Sequence, residues 1–255
     1  MIFKKIKDKI NFYRQEISAS KRKKELNKHI DAHKFEFLRP TCVLSKEWYG
    51  SVYGGFFVHP ERINEKSIIY SFGIGKDITF DKKCIKKHQC TVFGFDPTPK
   101  SIEWVQQQKV SEKFKFFNYG ISVISGIQHF YLPKNNKSVS GSLVMNETVN
   151  EEDMVAVSMK SFAAIIQDLK HNEIEVLKMD IEGAEYDVID SILAANITIN
   201  QFLVEFHDRI FRTTEPKSKA FVEKMKAKGF EIFAVSDSFE EVSFIRKSAL
   251  TPQSL

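Results

Sequence analysis

Three acidic residues, Asp180, Glu182 and Glu185, stand close together in the second half of the chain. They follow an apolar run over residues 174–179 and precede the pattern of an amphipathic helix. This order predicts a buried strand, a turn and a helix packed back on a sheet, with the carboxylates at the carboxyl end of the strand. Because ligands bind at that end in open α/β sheets, we predict a functional role for Asp180. The alternatives are that Asp180 caps the helix and that Glu182 and Glu185 favour its amino end electrostatically.

A second candidate site begins with Gly73 and Gly75, which follow a short apolar run over residues 67–72. A helical stretch comes next, and then another apolar run that ends at Asp96, 23 residues after Gly73. This order is typical of nucleotide-binding folds, in which the acid binds ribose hydroxyls. Ile78 stands where the third glycine of the dinucleotide fingerprint would fall. The absence of this third glycine disfavours a pyrophosphate at the turn and favours a nucleoside ligand such as S-adenosylmethionine.

The remaining patterns extend the same alternation of strands and helices. A third apolar run ends at Asn118 and Tyr119, where we expect the adenine ring. Residues 120–124 and 127–132 are predicted to form a hairpin, and the polar residues 134–142 a lid loop over the site. The chain is predicted to close with a pair of strands.

Composition favours one α/β domain in a cytoplasmic protein. The chain has 255 residues, of which 42% are hydrophobic, which is enough for one substantial core. We find neither a signal peptide nor an apolar run near the roughly 20 residues of a membrane span. Its three cysteines form no CxxC pair, which is typical of reduced, buried thiols in the cytoplasm.

The basic charge is concentrated at the N terminus. Residues 1–30 hold ten Lys or Arg against three acids, and isoleucines recur there at helical spacing. This predicts a basic amphipathic helix. Two roles are favoured: docking on the domain or on a second subunit as a homodimer, and contact with an anionic membrane at its inner face. A nucleic-acid partner is not expected, because no basic patch interleaved with aromatics continues into the body.

Five segments together carry a resemblance to a known family: YSFGIG at residues 70–75, FD at 95–96, NYG at 118–120, KMDIEGAE at 178–185 and VEFH at 204–207. They resemble the FkbM family of S-adenosylmethionine-dependent methyltransferases over roughly residues 48–247. The acidic motif is specific to that family, whereas the glycine motif is not. We therefore predict a basic helical extension over residues 1–45 and a methyltransferase domain over residues 46–255.

The resemblance implies a Rossmann-like class I methyltransferase fold: a mostly parallel seven-stranded sheet, helices on both faces and an antiparallel last strand. It also implies O-methylation of a hydroxyl on a sugar or glycan, in cell-surface polysaccharide or secondary-metabolite synthesis. Asp77 stands where many such enzymes have a third glycine. The cofactor-binding residues that the motifs imply are Ser71, Phe72, Gly73, Gly75, Asp77, Asp96, Asn118, Tyr119 and Asp180.

In the expected sheet order, the strands that end at Asp180 and His207 are neighbours, so we predict catalytic roles for Asp180, His207 and Glu182. Two mechanisms are open. His207 is the general base while Asp180 orients it, or Asp180 and His207 hold a divalent metal whose shell Glu182 or water completes. We favour the base, because histidine titrates near neutrality and needs no further ligands. Lys178 is predicted to pair with Glu205 on the adjacent strand.

Other functions share parts of this pattern. A metal-dependent glycosyltransferase could use Asp180 and Glu182 as its metal ligands. An NAD-dependent oxidoreductase would share the first two strands, but it would need the missing third glycine. A nucleic-acid N-methyltransferase is disfavoured because its usual Asn/Asp-Pro-Pro-aromatic motif is absent from residues 180–183. A sugar-binding module without catalysis would explain neither acid cluster.

Overall fold

The computed structural model of the chain describes residues 32–133, 149–211 and 213–250, together with the single positions Ile17 and Lys21. Apart from these two positions, the predicted basic helix of residues 1–30 lies outside the described residues, and so does the predicted lid loop of residues 134–142. Among the helices in this part of the chain, none has the length and apolarity needed to cross a membrane.

The described residues form a regular succession of strands and helices. The strands are β1 Glu47–Tyr49, β2 Phe56–Val58, β3 Ile68–Phe72, β4 Thr91–Phe95, β5 Phe114–Phe117, β6 Gly120–Ile121, β7 Gly126–Pro133, β8 Val149–Lys160, β9 Glu173–Met179, β10 Thr198–Glu205, β11 Phe230–Val235 and β12 Glu241–Arg246. The α-helices are α1 Thr79–His88, α2 Pro99–Gln106, α3 Phe162–Leu169, α4 Glu185–Ala194 and α5 Lys217–Ala227. Short 3₁₀ segments are Ala32–Leu38, Pro60–Arg62, Asp208–Ile210 and Lys247–Ala249.

One seven-stranded sheet has the order β5-β4-β3-β9-β10-β12-β11. β12 runs antiparallel to both of its neighbours, and the other pairs in this sheet are parallel. The predicted Rossmann-like α/β fold with an antiparallel last strand is thus confirmed. The chain runs outward from β3 to β5 and then returns to β9 on the other side of β3. The order reverses between β3 and β9, and ligands bind outside the carboxyl ends of the strands at such a point.

The two faces of this sheet pack into two separate apolar clusters. On β3, Ile69 joins one cluster and Tyr70 the other, and on β9 Val176 and Leu177 divide in the same way. This alternation follows from the two-residue period of a strand. Buried side chains of α1 and α2 cover the first face, and those of α3, α4 and α5 cover the second. Because both faces are covered, most residues of the central strands are apolar.

Two sequence features outside the sheet also lie in the core. All three cysteines are buried free thiols, as predicted. Leu38, within the predicted extension, is 1% exposed and belongs to the same cluster as Tyr70. The backbone amide of Thr41 donates to the carbonyl of Ile232 at 2.8 Å. The chain is therefore packed against the domain from at least Leu38 onward.

The predicted hairpin after β5 is wrong. β6 and β7 do not pair with each other, because β8 lies between them in a three-stranded sheet of order β6-β8-β7. β6 pairs with β8 in parallel and β7 pairs with it antiparallel, so that Gly120 and Gly126 both lie opposite Met159. The apolar residues 155–157 lie within the long strand β8. Local patterning missed this arrangement because the pairing partners of β6, Met159 and Lys160, are 39 residues away in the chain.

Candidate active site

The glycine turn after β3 is packed directly against the end of β9. Gly73 has a φ of +79°, and a Cβ added there would lie 1.6 Å from the carbonyl oxygen of Asp180. The amide of Asp180 in turn donates to the carbonyl of Phe72 at 3.1 Å. Only glycine fits this position, because it has no side chain and tolerates positive φ. The contact brings the predicted nucleotide turn and the predicted catalytic acid to one place.

Asp96 fixes the shape of the glycine turn. Its Oδ2 accepts hydrogen bonds from the amides of Ile74 at 3.0 Å and Gly75 at 2.7 Å. Its Oδ1 accepts from the amide of Thr98 at 2.8 Å and from the Thr98 hydroxyl at 2.6 Å. Burial raises the pKa of Asp96, and these hydrogen bonds oppose the rise. The carboxylate is 4% exposed and its acceptor positions face protein donors, so its contact with ribose stays a prediction.

The Thr98 side chain does not cap α2, although Thr98 stands at the start of that helix. Thr98 is the residue before Pro99, but its hydroxyl makes no hydrogen bond to the amides of α2. It donates to Asp96 instead. The physical reason is that a buried carboxylate without a hydrogen-bond donor costs more free energy than an unpaired amide at a helix end that water can reach.

The other predicted cofactor residues are placed in different ways. Asp77 accepts from the amide of Thr79 at 2.8 Å and from the Ser51 hydroxyl at 2.5 Å, so it joins the start of α1 to the loop between β1 and β2. The side chains of Ser71 and Phe72 are fully buried, which leaves only their backbone near the turn.

At the end of β5, Tyr119 is 8% exposed and its ring lies 5.6 Å from that of Phe95. Its neighbour Asn118 is exposed. Of these two residues, Asn118 therefore offers the accessible side chain for the predicted adenine contact. The cofactor roles of both remain predictions.

Asp180 and His207 do lie at neighbouring strand ends, because β9 and β10 are adjacent and in register. The Nε2 atom of His207 is 3.7 Å from an oxygen of Asp180 and 3.4 Å from an oxygen of Glu182. It is also 3.7 Å from an oxygen of Glu205. The side chain of His207 is 1% exposed, whereas those of Asp180 and Glu182 are 21% and 24% exposed. The histidine therefore lies beneath the carboxylates.

Glu185 holds the imidazole in place, a contact that the sequence did not reveal. Its Oε1 is 3.0 Å from Nδ1 of His207 and accepts from the His207 amide at 3.1 Å. Its Oε2 accepts from the amide of Gly183 at 2.9 Å. Glu185 is fully buried and begins α4. Its predicted helix-end role describes its position, but the carboxylate also binds a residue on another strand.

The local electrostatics are dominated by carboxylates. Burial alone lowers the pKa of His207, but Glu185, Glu205 and Glu182 together raise it well above its ordinary value. Burial and the nearby charge of Asp180 raise the pKa of Glu205 well above its ordinary value, although His207 opposes this. A positive charge beside Glu205 would favour its ionised form.

The predicted pairing of Lys178 with Glu205 is wrong. The Nζ atom of Lys178 donates to the carbonyl of Gly73 at 3.0 Å and lies over the ring of Phe56. Glu205 lies against His207 and Arg209 instead. The parallel register explains this difference, because it places Lys178 beside Leu203 and Glu205 nearer to the strand end. A charged residue in a buried strand was correctly expected to need a partner, but the partner is a backbone carbonyl.

One donor set among the described residues has the geometry of a metal site. One ligand atom from each of Asp180, Glu205 and His207 lies within 4.8 Å of the other two. Sequence analysis placed Asp180 and His207 in this role and assigned Glu205 to a salt bridge. The signal for Glu205 was available, because it ends β10 and lies only two residues before His207.

The sheet order and the position of this cluster define a class of protein. A sheet in which an antiparallel strand, β12, lies between two parallel strands at one edge is that of the class I methyltransferases, as the sequence resemblance implied. The sequence model of the "Methyltransferase FkbM domain" matches residues 29–232. The chain therefore belongs to the FkbM methyltransferase family.

Individual relatives are distant. "Probable methyltransferase-like protein 24" of Rattus norvegicus is 23% identical over 141 residues, which are 54% of this chain and 32% of that protein. The protein of the same name from Homo sapiens is 23% identical over 146 residues, 56% of this chain and 33% of that protein. The matched region is thus about a third of these relatives. Among solved structures, the fibrillarin pre-rRNA processing protein of Methanococcus jannaschii is 15% identical, covers 77% of this chain and 72% of that chain, and has a TM-score of 0.45.

Proposed function

We propose that this chain is an S-adenosylmethionine-dependent O-methyltransferase whose acceptor is a hydroxyl of a sugar or glycan. The observation that carries the proposal is the contact of Gly73 with Asp180, which joins the nucleotide turn to the acid cluster. A cofactor held at the turn would present its sulfonium to carboxylates. Membership of the FkbM family supports the same activity.

Carboxylates at this place can assist both cofactor binding and removal of the proton from the acceptor hydroxyl. Their negative field favours a cationic sulfonium over neutral competitors. In the transfer, the acceptor oxygen forms a bond to the methyl carbon as the carbon–sulfur bond breaks, and the hydroxyl proton passes to a base. Asp180 and Glu182 are partly exposed, so an entering hydroxyl meets them before it meets His207. The role of His207 as the general base stays a prediction. Because His207 is buried, it lies behind Asp180 and Glu182 as seen from solvent.

A sugar acceptor is supported by the surface beside the turn. The loop between β1 and β2 places Gly54 against Asp77, because a Cβ on Gly54 would be 3.4 Å from the Asp77 carboxylate. The adjacent Tyr53 is 60% exposed. An exposed aromatic face with polar neighbours is well suited to a sugar ring. The resemblance to FkbM enzymes supports the same substrate class.

The proposal is tested first by ligand binding. Calorimetry with S-adenosylmethionine, NAD and a nucleotide sugar should give binding of the first alone. Binding of NAD alone would support an oxidoreductase, and binding of a nucleotide sugar alone would support a glycosyltransferase. Either result would overturn the proposal.

The second test is transfer of a labelled methyl group from S-adenosylmethionine to a panel of sugars and glycans. Asp180→Asn should reduce turnover by about 10²- to 10⁴-fold if this acid assists proton removal. Asp190→Asn is the matched control, because Asp190 is an exposed acid on α4 that pairs with Lys224. Labelling of a nitrogen substrate but no hydroxyl would contradict O-methylation while leaving cofactor use intact.

A further inference from the structure

We propose that Asp180, Glu205 and His207 form a divalent-cation site and that Glu185 is the residue that positions His207 for it. The site deepens the proposed function, since it lies where the acceptor oxygen would be activated. Binding of the metal itself does not depend on that function.

The first observation is an imidazole nitrogen that makes no hydrogen bond. Nε2 of His207 is buried and has no hydrogen-bond partner among the residues that the structure describes. It nevertheless faces oxygens of Asp180, Glu182 and Glu205 at 3.4–3.7 Å. Atoms that bind one ion at about 2.0–2.2 Å lie about 3.0–4.2 Å from each other. The separations are therefore longer than hydrogen bonds but suit donors that share an ion.

The second observation is the tautomer that Glu185 imposes. Because its carboxylate lies 3.0 Å from Nδ1, that nitrogen carries the proton and donates it to Glu185. A metal takes the place of the proton on Nε2, and the ring then directs the lone pair of Nε2 into the carboxylate cluster. Metal-binding histidines are usually held in this way, with the other ring nitrogen donating to a carboxylate. Glu185 is itself held by the amides of Gly183 and His207, so the ring orientation is fixed before any ion binds.

The donor set selects a class of ion. Two carboxylates and one imidazole suit divalent first-row metals such as Mn²⁺ better than Ca²⁺, which prefers oxygen ligands alone. Asp180 and Glu182 are partly exposed, which leaves a side of the site open to an acceptor oxygen. A bound ion would lower the pKa of a hydroxyl on that side. Arg209 lies 3.8 Å from Glu205 and is the nearby positive group that competes for this acid.

The test is titration of the full-length chain with Mn²⁺ alone, followed by electron paramagnetic resonance. We expect one ion per chain and a nitrogen coupling from a coordinated imidazole in pulsed spectra. Glu205→Gln should weaken binding at least tenfold, and Glu185→Gln, which keeps the residue size, should weaken it about 10- to 100-fold. Asp190→Asn should bind as the unaltered chain does. Circular dichroism of each variant shows whether it is folded.

The result that overturns the site is absence of Mn²⁺ binding by the unaltered chain, or binding without nitrogen coupling. Both measurements are made on the unaltered chain, so their outcome does not depend on whether a variant folds. Calorimetry with S-adenosylmethionine separates this proposal from the preceding one. Cofactor binding without Mn²⁺ binding removes the metal site alone, and Mn²⁺ binding without any methyl transfer removes the enzyme function alone.

Discussion

Replacement of Gly73 by alanine should damage stability and cofactor binding together. Gly73 and Gly229 share a φ of +79°, but within the described part of the chain a Cβ on Gly229 meets nothing within 4 Å. An alanine at positive φ costs about 1–2 kcal/mol at either position. At Gly73 the new carbon also meets the carbonyl oxygen and carbon of Asp180, at 1.6 and 2.8 Å. Relieving such a clash moves strands apart and costs about 1–3 kcal/mol more.

Urea unfolding of Gly73→Ala and Gly229→Ala measures this difference. The shared effect of alanine on the unfolded chain cancels between the two variants. We expect Gly73→Ala to lose about 1–3 kcal/mol more free energy of unfolding than Gly229→Ala. It should also lose S-adenosylmethionine binding in calorimetry, while Gly229→Ala keeps it. Equal losses of stability in the two variants, with equal cofactor affinity, would refute the proposed contact between the turn and Asp180.

Three further predictions concern buried polar groups near the turn. Asp96→Ala should weaken S-adenosylmethionine binding by about 1.5–3 kcal/mol in calorimetry, because the amides of the turn lose a charged acceptor, and unchanged affinity would count against this role. Burial raises the pKa of Asp81 to about 6, although the charge of Lys178 opposes the rise. The stability that protonated Asp81 contributes is therefore present below about pH 4 and lost as the pH rises through 6. Asp81→Asn should gain up to about 3 kcal/mol over the unaltered chain across that range in urea titrations, and a pH-independent difference would contradict it. Lys178→Met should cost about 1–3 kcal/mol at pH 7, since the carbonyl of Gly73 loses its donor, and an unchanged urea midpoint would show that water replaces it.

Local sequence patterns were sufficient to predict the main strands of the seven-stranded sheet. Residues 68–72, 91–95 and 174–179 are mostly apolar, because strands of a parallel sheet are buried on both faces. The glycines after β3 and the acids after β9 could be placed at strand ends for the same reason. Adjacency of Asp180 and His207 followed only from the sheet order that the family resemblance implied.

The three-stranded insertion could not be predicted in this way. Its long strand β8 pairs with both β6 and β7. The residues between these strands do not indicate whether β6 pairs with β7 or with β8. A hairpin needs only neighbouring residues, so local patterning favours it by default. The observed pairing is decided by contacts between segments that are distant in the chain.

The sequence by itself determined which residue types stand at the carboxyl ends of β3, β4, β9 and β10, because strand periodicity and glycine turns are local properties. Only the tertiary structure decided what those residues contact. Glu185 holds His207, and Lys178 binds the carbonyl of Gly73 rather than Glu205. These partners depend on strand register and on side-chain direction after packing. Neither is encoded in the spacing of residues along one segment, so the chemistry of the site emerged only when the strand ends met.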